Sequence, residues 1–208
     1  MKAWHFSNGD RLGYGDAREI VPGETLTVDG PPALCQHGLH GSVRILDALK
    51  YAPGLTIWRC DLGGEIVRGN DKIVASERTP LWGFNTEPVL RKFARMCALD
   101  VIDLWDAPDL VVRYLKAGDP SLQPAARAAV WNAAGDAAKD AGSAAARAAA
   151  WYAARSAAGD AARSAAWYAA KDAGSAAARA AARSAARDRQ NRRLTRMINK
   201  EARALGLR

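Results

Sequence analysis

Cysteine is scarce in this 208-residue chain, which has three, Cys35, Cys60 and Cys97. So scattered and odd a set does not build a disulfide-stapled scaffold, and a reducing compartment is expected. Long apolar runs are also missing. Nothing approaches the roughly 18 consecutive apolar residues that cross a bilayer, and the opening MKAWHFSNGD lacks the apolar stretch of a signal peptide. The expectation is a cytoplasmic protein without membrane contact. A Walker loop, a dinucleotide fingerprint, a G-x-S-x-G elbow, an HExxH helix and paired carboxylates are absent as well. No catalytic residue and no cofactor is therefore predicted, and the reading leans away from an enzyme.

Acidic residues run short in the second half. Residues 1–118 hold 14 Lys plus Arg against 15 Asp plus Glu, net −1, whereas residues 119–208 hold 16 against 7, net +9. What fills that half is alanine, at 34 of the 62 positions from 125 to 186. From Ala133 the chain falls into octads, AAGDAAKD, AGSAAARA, AAWYAARS and so on, and the stretch beginning at Lys139 returns at Lys171. A repeat array is expected, built from helices because alanine is the best helix former. A period of four moves the Ala stripe by about 40° per tetrad around a helix of 3.6 residues per turn, so one long rod could not keep one face buried. Each internal Gly is followed by a helix-capping residue, as in Gly142-Ser143 and Gly159-Asp160. The pattern favours short stacked helices near 143–158 and 160–173, with long helices touching at the Gly residues as the alternative. Buried Ala contributes little, about 0.8 kcal/mol per methyl, so Trp131, Trp151, Tyr152, Trp167 and Tyr168 are read as packing anchors, and self-association into a homo-oligomer is expected.

The fold class predicted is thus α+β: a small mixed N-terminal domain (1–84), a two-helix connector (85–118), and an all-α, Ala-rich helical repeat array (119–208) with a basic C-terminal helix. In the first domain, β-forming runs at Ala3 to Phe6, Glu24 to Val28, Leu55 to Leu62, Glu65 to Val67 and Lys72 to Ala75 are separated by Gly, Pro and Asn turns. A helix is expected over Ser42 to Ala52. Val89, Leu90, Phe93, Cys97, Val101 and Leu104 give the connector's first helix its apolar stripe. Asp106 is the expected cap of a second helix that ends at Gly118. Ser175 to Leu205 reads as one helix with Leu194, Met197, Ile198 and Leu205 on its apolar side.

Two groups of residues are candidate sites. Cys35-Gln36-His37-Gly38-Leu39-His40-Gly41 is the one dense cluster of reactive side chains. Its spacing suits neither a structural zinc site nor a cysteine nucleophile with a local signature, so no metal is expected. A structural role for His40 in a Gly-flanked turn is one reading. The other is a pocket for a nucleotide or other anion lined by His40, Tyr51, Lys50 and Lys72. Near the C-terminus, Arg189, Arg192, Arg193 and Arg196 are candidates for phosphate or nucleic-acid contact, against the plainer reading of a solvated basic helix.

The string Cys35-x-x-Gly38-Leu39-His40, Tyr51-Ala52-Pro53-Gly54, Gly64 and Asp71-Lys72-Ile73-Val74-Ala75 resembles an uncharacterised N-terminal domain of bacteriophage and prophage proteins. That resemblance implies a phage setting, and with it the host cytoplasm. The tail, including Arg189-Gln190-Asn191-Arg192-Arg193-Leu194, is similar to Ala- and Trp-rich helical repeats of immunity proteins. The Gly38-Leu39-His40 region with its following helix is similar to ADP-ribosyltransferase-like folds, which implies that His40 and Tyr51 hold a nicotinamide nucleotide, although no catalytic Glu can be placed. Three functions follow. The first is a phage accessory protein that acts by binding a host protein or a small nucleotide signal. The second is a nucleic-acid-binding protein using the Arg-rich helix. The third is an ADP-ribosyltransferase-like enzyme.

Overall fold

The computed structural model describes residues 1–13, 16–100, 102, 107–126, 128–129 and 176–207, the side chains of 176–183 excepted. The described chain divides into two compact units, residues 1–87 with 195–208, and residues 88–194.

The first unit is a five-stranded antiparallel sheet. Its centre is one long hairpin, β4 (Thr56–Arg68) and β5 (Ile73–Asn85), turned by the Gly69-Asn70-Asp71 segment, where the Gly69 N–H donates to the Lys72 carbonyl at 2.8 Å. Strand β1 (Lys2–Ser7) lies along β4, while β2 (Leu26–Thr27) and β3 (Leu39–Gly41) share the other edge of β5. Trp4 and Ser42 exchange both backbone hydrogen bonds, at 2.8 and 2.9 Å, so the pairing path β1–β4–β5–β3 returns to β1. Register shifts between Arg59 and Cys60 and between Gly63 and Ile66 give the hairpin the extra twist that such a return needs. Ala3, Leu62, Ile73 and Ala75 form one buried cluster of this unit, and Ile20, Trp58 and Cys60 another. A short helix, α1 (Ile45–Lys50), follows β3 and contacts β1.

The second unit holds α2 (Glu87–Leu99) from Pro88 onward and α3 (Asp109–Ala117). Pro88 sits in the first turn of α2, where its missing N–H costs nothing, and Val89, Leu90, Phe93, Ala94, Cys97 and Ala98 are buried along one stripe. Helix α3 follows Pro108, not the expected cap Asp106, which lies outside the described residues as do Val101 and Leu104. It ends where Gly118 adopts a left-handed φ of 71°. Ala98, Val111, Tyr114, Leu115 and Ala126 make this unit's core, and a 3-10 turn, Pro120–Leu122, is capped by the Asp119 side chain.

The last helix, α4 (Ala176–Ala204), is 29 residues long. It stops in a Schellman motif: Gly206 takes φ 75°, its N–H donates to the Arg203 carbonyl at 3.0 Å, and the Leu207 N–H to the Ala202 carbonyl at 2.8 Å. Ala186, Gln190, Leu194, Ile198 and Ala202 are buried at a strict spacing of four, whereas Leu205, expected on the apolar side, is 54% exposed.

The predicted fold class needs correction on these grounds. The N-terminal region is a five-stranded antiparallel sheet dominated by a hairpin with two 13-residue strands, not a sheet of short separate runs. The expected runs at 55–62 and 65–67 belong to one bulged strand, and the run at 72–75 continues through Pro80 to Asn85. No all-α repeat array appears among the described residues, whose C-terminal part is one continuous helix. The helices expected near 143–158 and 160–173, with Trp131, Trp151, Tyr152, Trp167 and Tyr168, lie outside the described residues.

Candidate ligand-binding site

Strands β1 and β3, helix α1 and the loops before them line a half-open cavity of about 570 Å³ in the first unit. That volume lies inside the range of small-molecule sites, roughly 300–1,000 Å³. Trp4 and Phe6 of β1 supply apolar wall, and the segment from Cys35 to Ser42 supplies the polar rim. Of the four residues expected at a pocket, His40, Tyr51 and Lys72 line this one. Lys50 does not; its Nζ donates to Asp71 at 2.6 Å, and the Tyr51 hydroxyl donates to the same carboxylate oxygen at 2.7 Å. Asp71 thereby holds Tyr51 in place, and its own pKa is lowered, first by Lys50 and then by Tyr51. Lys72 stands over the Tyr51 ring with Nζ 4.3 Å from the centroid, and its pKa is raised, first by a hydrogen bond to the Cys35 side chain.

His40 has both ring nitrogens committed. Nε2 accepts from the Cys35 N–H at 3.1 Å, so the proton sits on Nδ1, which donates to the Gly38 carbonyl at 3.1 Å. The loop that this side chain ties down is tight. Cys35 has a left-handed φ of 65°, and Gly38, at φ 113°, lies where a Cβ would come within 2.5 Å of Val74. His40 therefore shapes the wall. Burial lowers its pKa, with Lys72 and Arg78 adding to the effect against the bond to Gly38. His37 also lines the cavity, with Nε2 2.6 Å from the Asp29 carbonyl.

The charge that dominates the cavity comes from a residue that sequence reasoning passed over. Arg78 of β5 is a wall residue, 2% exposed. Its Nη1 donates to the His40 carbonyl at 2.8 Å, while Nε and Nη2 have no hydrogen-bond partner among the described residues. Asp16 is the one carboxylate among the described lining residues, and it is occupied by Arg18, with Nη2 to Oδ2 at 2.7 Å. His5 of β1 also lines the cavity with a buried, unpartnered Nε2, and burial followed by the Arg78 charge holds its pKa well below the ordinary value. Arg78 lies among the polar Ser76, Glu77 and Thr79, so no apolar alternation marks it in the sequence, whereas the structure pairs it with the buried Leu62. The expected run ends at Ala75, so Arg78 falls outside it.

Among the described residues no three His, Cys, Asp or Glu side chains gather to hold a metal ion, and no helix is long and apolar enough to cross a membrane. Arg189, Arg192 and Arg196 are exposed on α4, but Arg193 grips Asp100 through two hydrogen bonds of 2.6 and 3.1 Å.

Residues 17–92 match a family described as a domain of unknown function (DUF7666). The match takes in the rim from Cys35 to Ser42 together with Tyr51, Lys72 and Arg78, while β1 with Trp4, His5 and Phe6 precedes it. Neither the curated proteins nor the solved structures contain a match to this chain.

Proposed function

We propose that the N-terminal unit is a receptor for a small anionic ligand of the nucleotide class, acting by binding and without chemistry of its own. One observation carries the reading: a guanidinium 2% exposed, without a carboxylate partner, forms part of a cavity wall. Burying a cation whose one nearby carboxylate, Asp16, is already held by Arg18 is costly and is not retained for stability alone. Arginine stays protonated in proteins, so the wall keeps its positive charge, and Lys72 at the rim adds another. In a site of low dielectric that field reaches an anion in the cavity without direct contact. The resemblance to phage N-terminal domains supports a host nucleotide signal as occupant.

Calorimetric titration of the full chain with adenosine monophosphate and, separately, with adenosine tests the charge requirement. The phosphate ester is expected to bind more tightly by on the order of tenfold or more, through Coulomb attraction to the wall charges. Equal binding of the two, or binding of neither, would remove the reading.

A further inference from the structure

The basic residues of α4 make a second feature, remote in sequence from the cavity rim. Successive residues of an α-helix turn by about 100°, so Arg189, Arg192, Arg196, Lys200 and Arg203 fall within one arc of roughly 80° and span about 21 Å of axis. All five are exposed, and none makes an ion pair among the described residues. Of the buried residues of α4, Gln190, Leu194, Ile198 and Ala202 lie about 80° or more outside this arc, and Ala186 about 40° outside it. Asp188 and Glu201, the two acids of the helix, fall outside the arc. Because α4 is unbroken, the spacing of the five cations is helix geometry alone.

This arrangement is the reverse of what helix stability favours. Arg192, Arg196 and Lys200 are like-charge neighbours at i,i+4, and the Arg189–Arg192 and Lys200–Arg203 pairs repel at i,i+3; each such pair is mildly destabilising. The row gains when a row of negative charge faces it. We propose that this face of α4 binds double-stranded nucleic acid through its phosphates. Four of the five cations are arginines, whose fork suits phosphate oxygens. Each duplex strand offers a phosphate about every 3.4 Å along the axis, enough to meet the whole row. Residues 176–208 contain no Trp, Tyr or Phe on which unpaired bases could stack, which argues against single strands. The arc carries no apolar side chain to enter a bilayer, which argues against a lipid surface.

Fluorescence anisotropy with a labelled 20-base-pair DNA duplex and the full chain tests this. Log affinity is expected to fall with log salt at a slope of about −4.5, near −0.9 per phosphate met. The triple variant R192A/R196A/K200A should lose on the order of 30-fold in affinity and reduce the slope by about 2.7. R193A, whose guanidinium is held by Asp100, should change affinity little. Alanine favours helix, so circular dichroism should show the triple variant folded, and any adenosine monophosphate binding should persist in it, which separates this outcome from that of the cavity. A flat salt response, unchanged affinity in a folded triple variant, tighter binding of the single strand, or capture by phosphatidylserine vesicles but not by duplex would each overturn the proposal.

Discussion

Nη1 of Arg78 donates to the backbone carbonyl of His40 at 2.8 Å, tying the middle of β5 to β3. A backbone carbonyl, not a carboxylate, is thus the hydrogen-bond partner of the most buried cation in the first unit, and the charge is oriented without being neutralised. Stability and ligand binding therefore make opposite demands on this residue.

Arg78→Met separates those demands. Methionine fills similar volume and removes the unpartnered buried donors, so the loss of one hydrogen bond, about 1 kcal/mol, is offset by relief of desolvation. The variant should keep or raise its melting temperature while losing binding of adenosine monophosphate by on the order of tenfold or more. A destabilisation well above about 2 kcal/mol in urea unfolding would instead mark Arg78 as a structural strut.

How much of this was legible in the sequence depended on local rules. The turn at Gly69-Asn70-Asp71, the helix stop at Gly118 and the apolar stripe from Val89 to Cys97 follow from turn chemistry and periodicity, and each sits where such rules place it. The expected run ends at Ala75 because Ser76, Glu77 and Arg78 break the apolar pattern, yet β5 continues through Pro80, which lies opposite Cys60 beside the register shift. Arg78 therefore falls outside every expected element, and with it the main charge of the cavity. His5 was equally invisible, since its approach to His40 depends on the return of β3 to β1, a pairing between distant segments.

Gly83 is a position where only the absence of a side chain fits. A Cβ there would stand 2.4 Å from the Trp58 ring and 2.8 Å from the Ile57 carbonyl. The Trp58 ring is fixed in turn, because its Nε1 donates to the Ser7 hydroxyl at 2.7 Å. Gly83→Ala should destabilise by about 1–3 kcal/mol through overpacking, and Trp58→Phe by about 1–3 kcal/mol through the lost hydrogen bond to a buried partner. Denaturant unfolding of the two variants checks both values.

Acid should weaken the fold through histidines before carboxylates. Both His5 and His40 are held below the ordinary value of 6.5, in each case first by burial. In the unfolded chain they titrate near that value, so below about pH 6.5 the unfolded state binds more protons and stability falls with pH. Above it the contribution is fully present. The carboxylates with lowered pKa, Asp16, Asp61, Asp71 and Asp119, act only below their ordinary 3.8. Melting temperature should therefore drop between pH 7 and pH 5, and the drop should be shallower in a folded His5→Asn variant. An unchanged melting temperature across that interval would show that the two imidazoles are free to protonate in the fold.

Thiol chemistry reports on the cavity directly. Cys35 is exposed on the rim, whereas Cys60 and Cys97 are buried and burial pushes their thiols up to about 11 and about 12. The thiolate is the reactive form, so the two buried residues are shielded both sterically and by protonation. Ellman's reagent should label one thiol per native chain quickly and all three after denaturation, and Cys35→Ser should abolish the fast phase. Because Cys35 lines the same cavity as Lys72 and Arg78, saturating adenosine monophosphate should slow that phase, whereas adenosine should not. Unaltered labelling in the presence of a bound phosphate ester would place its binding site away from this rim.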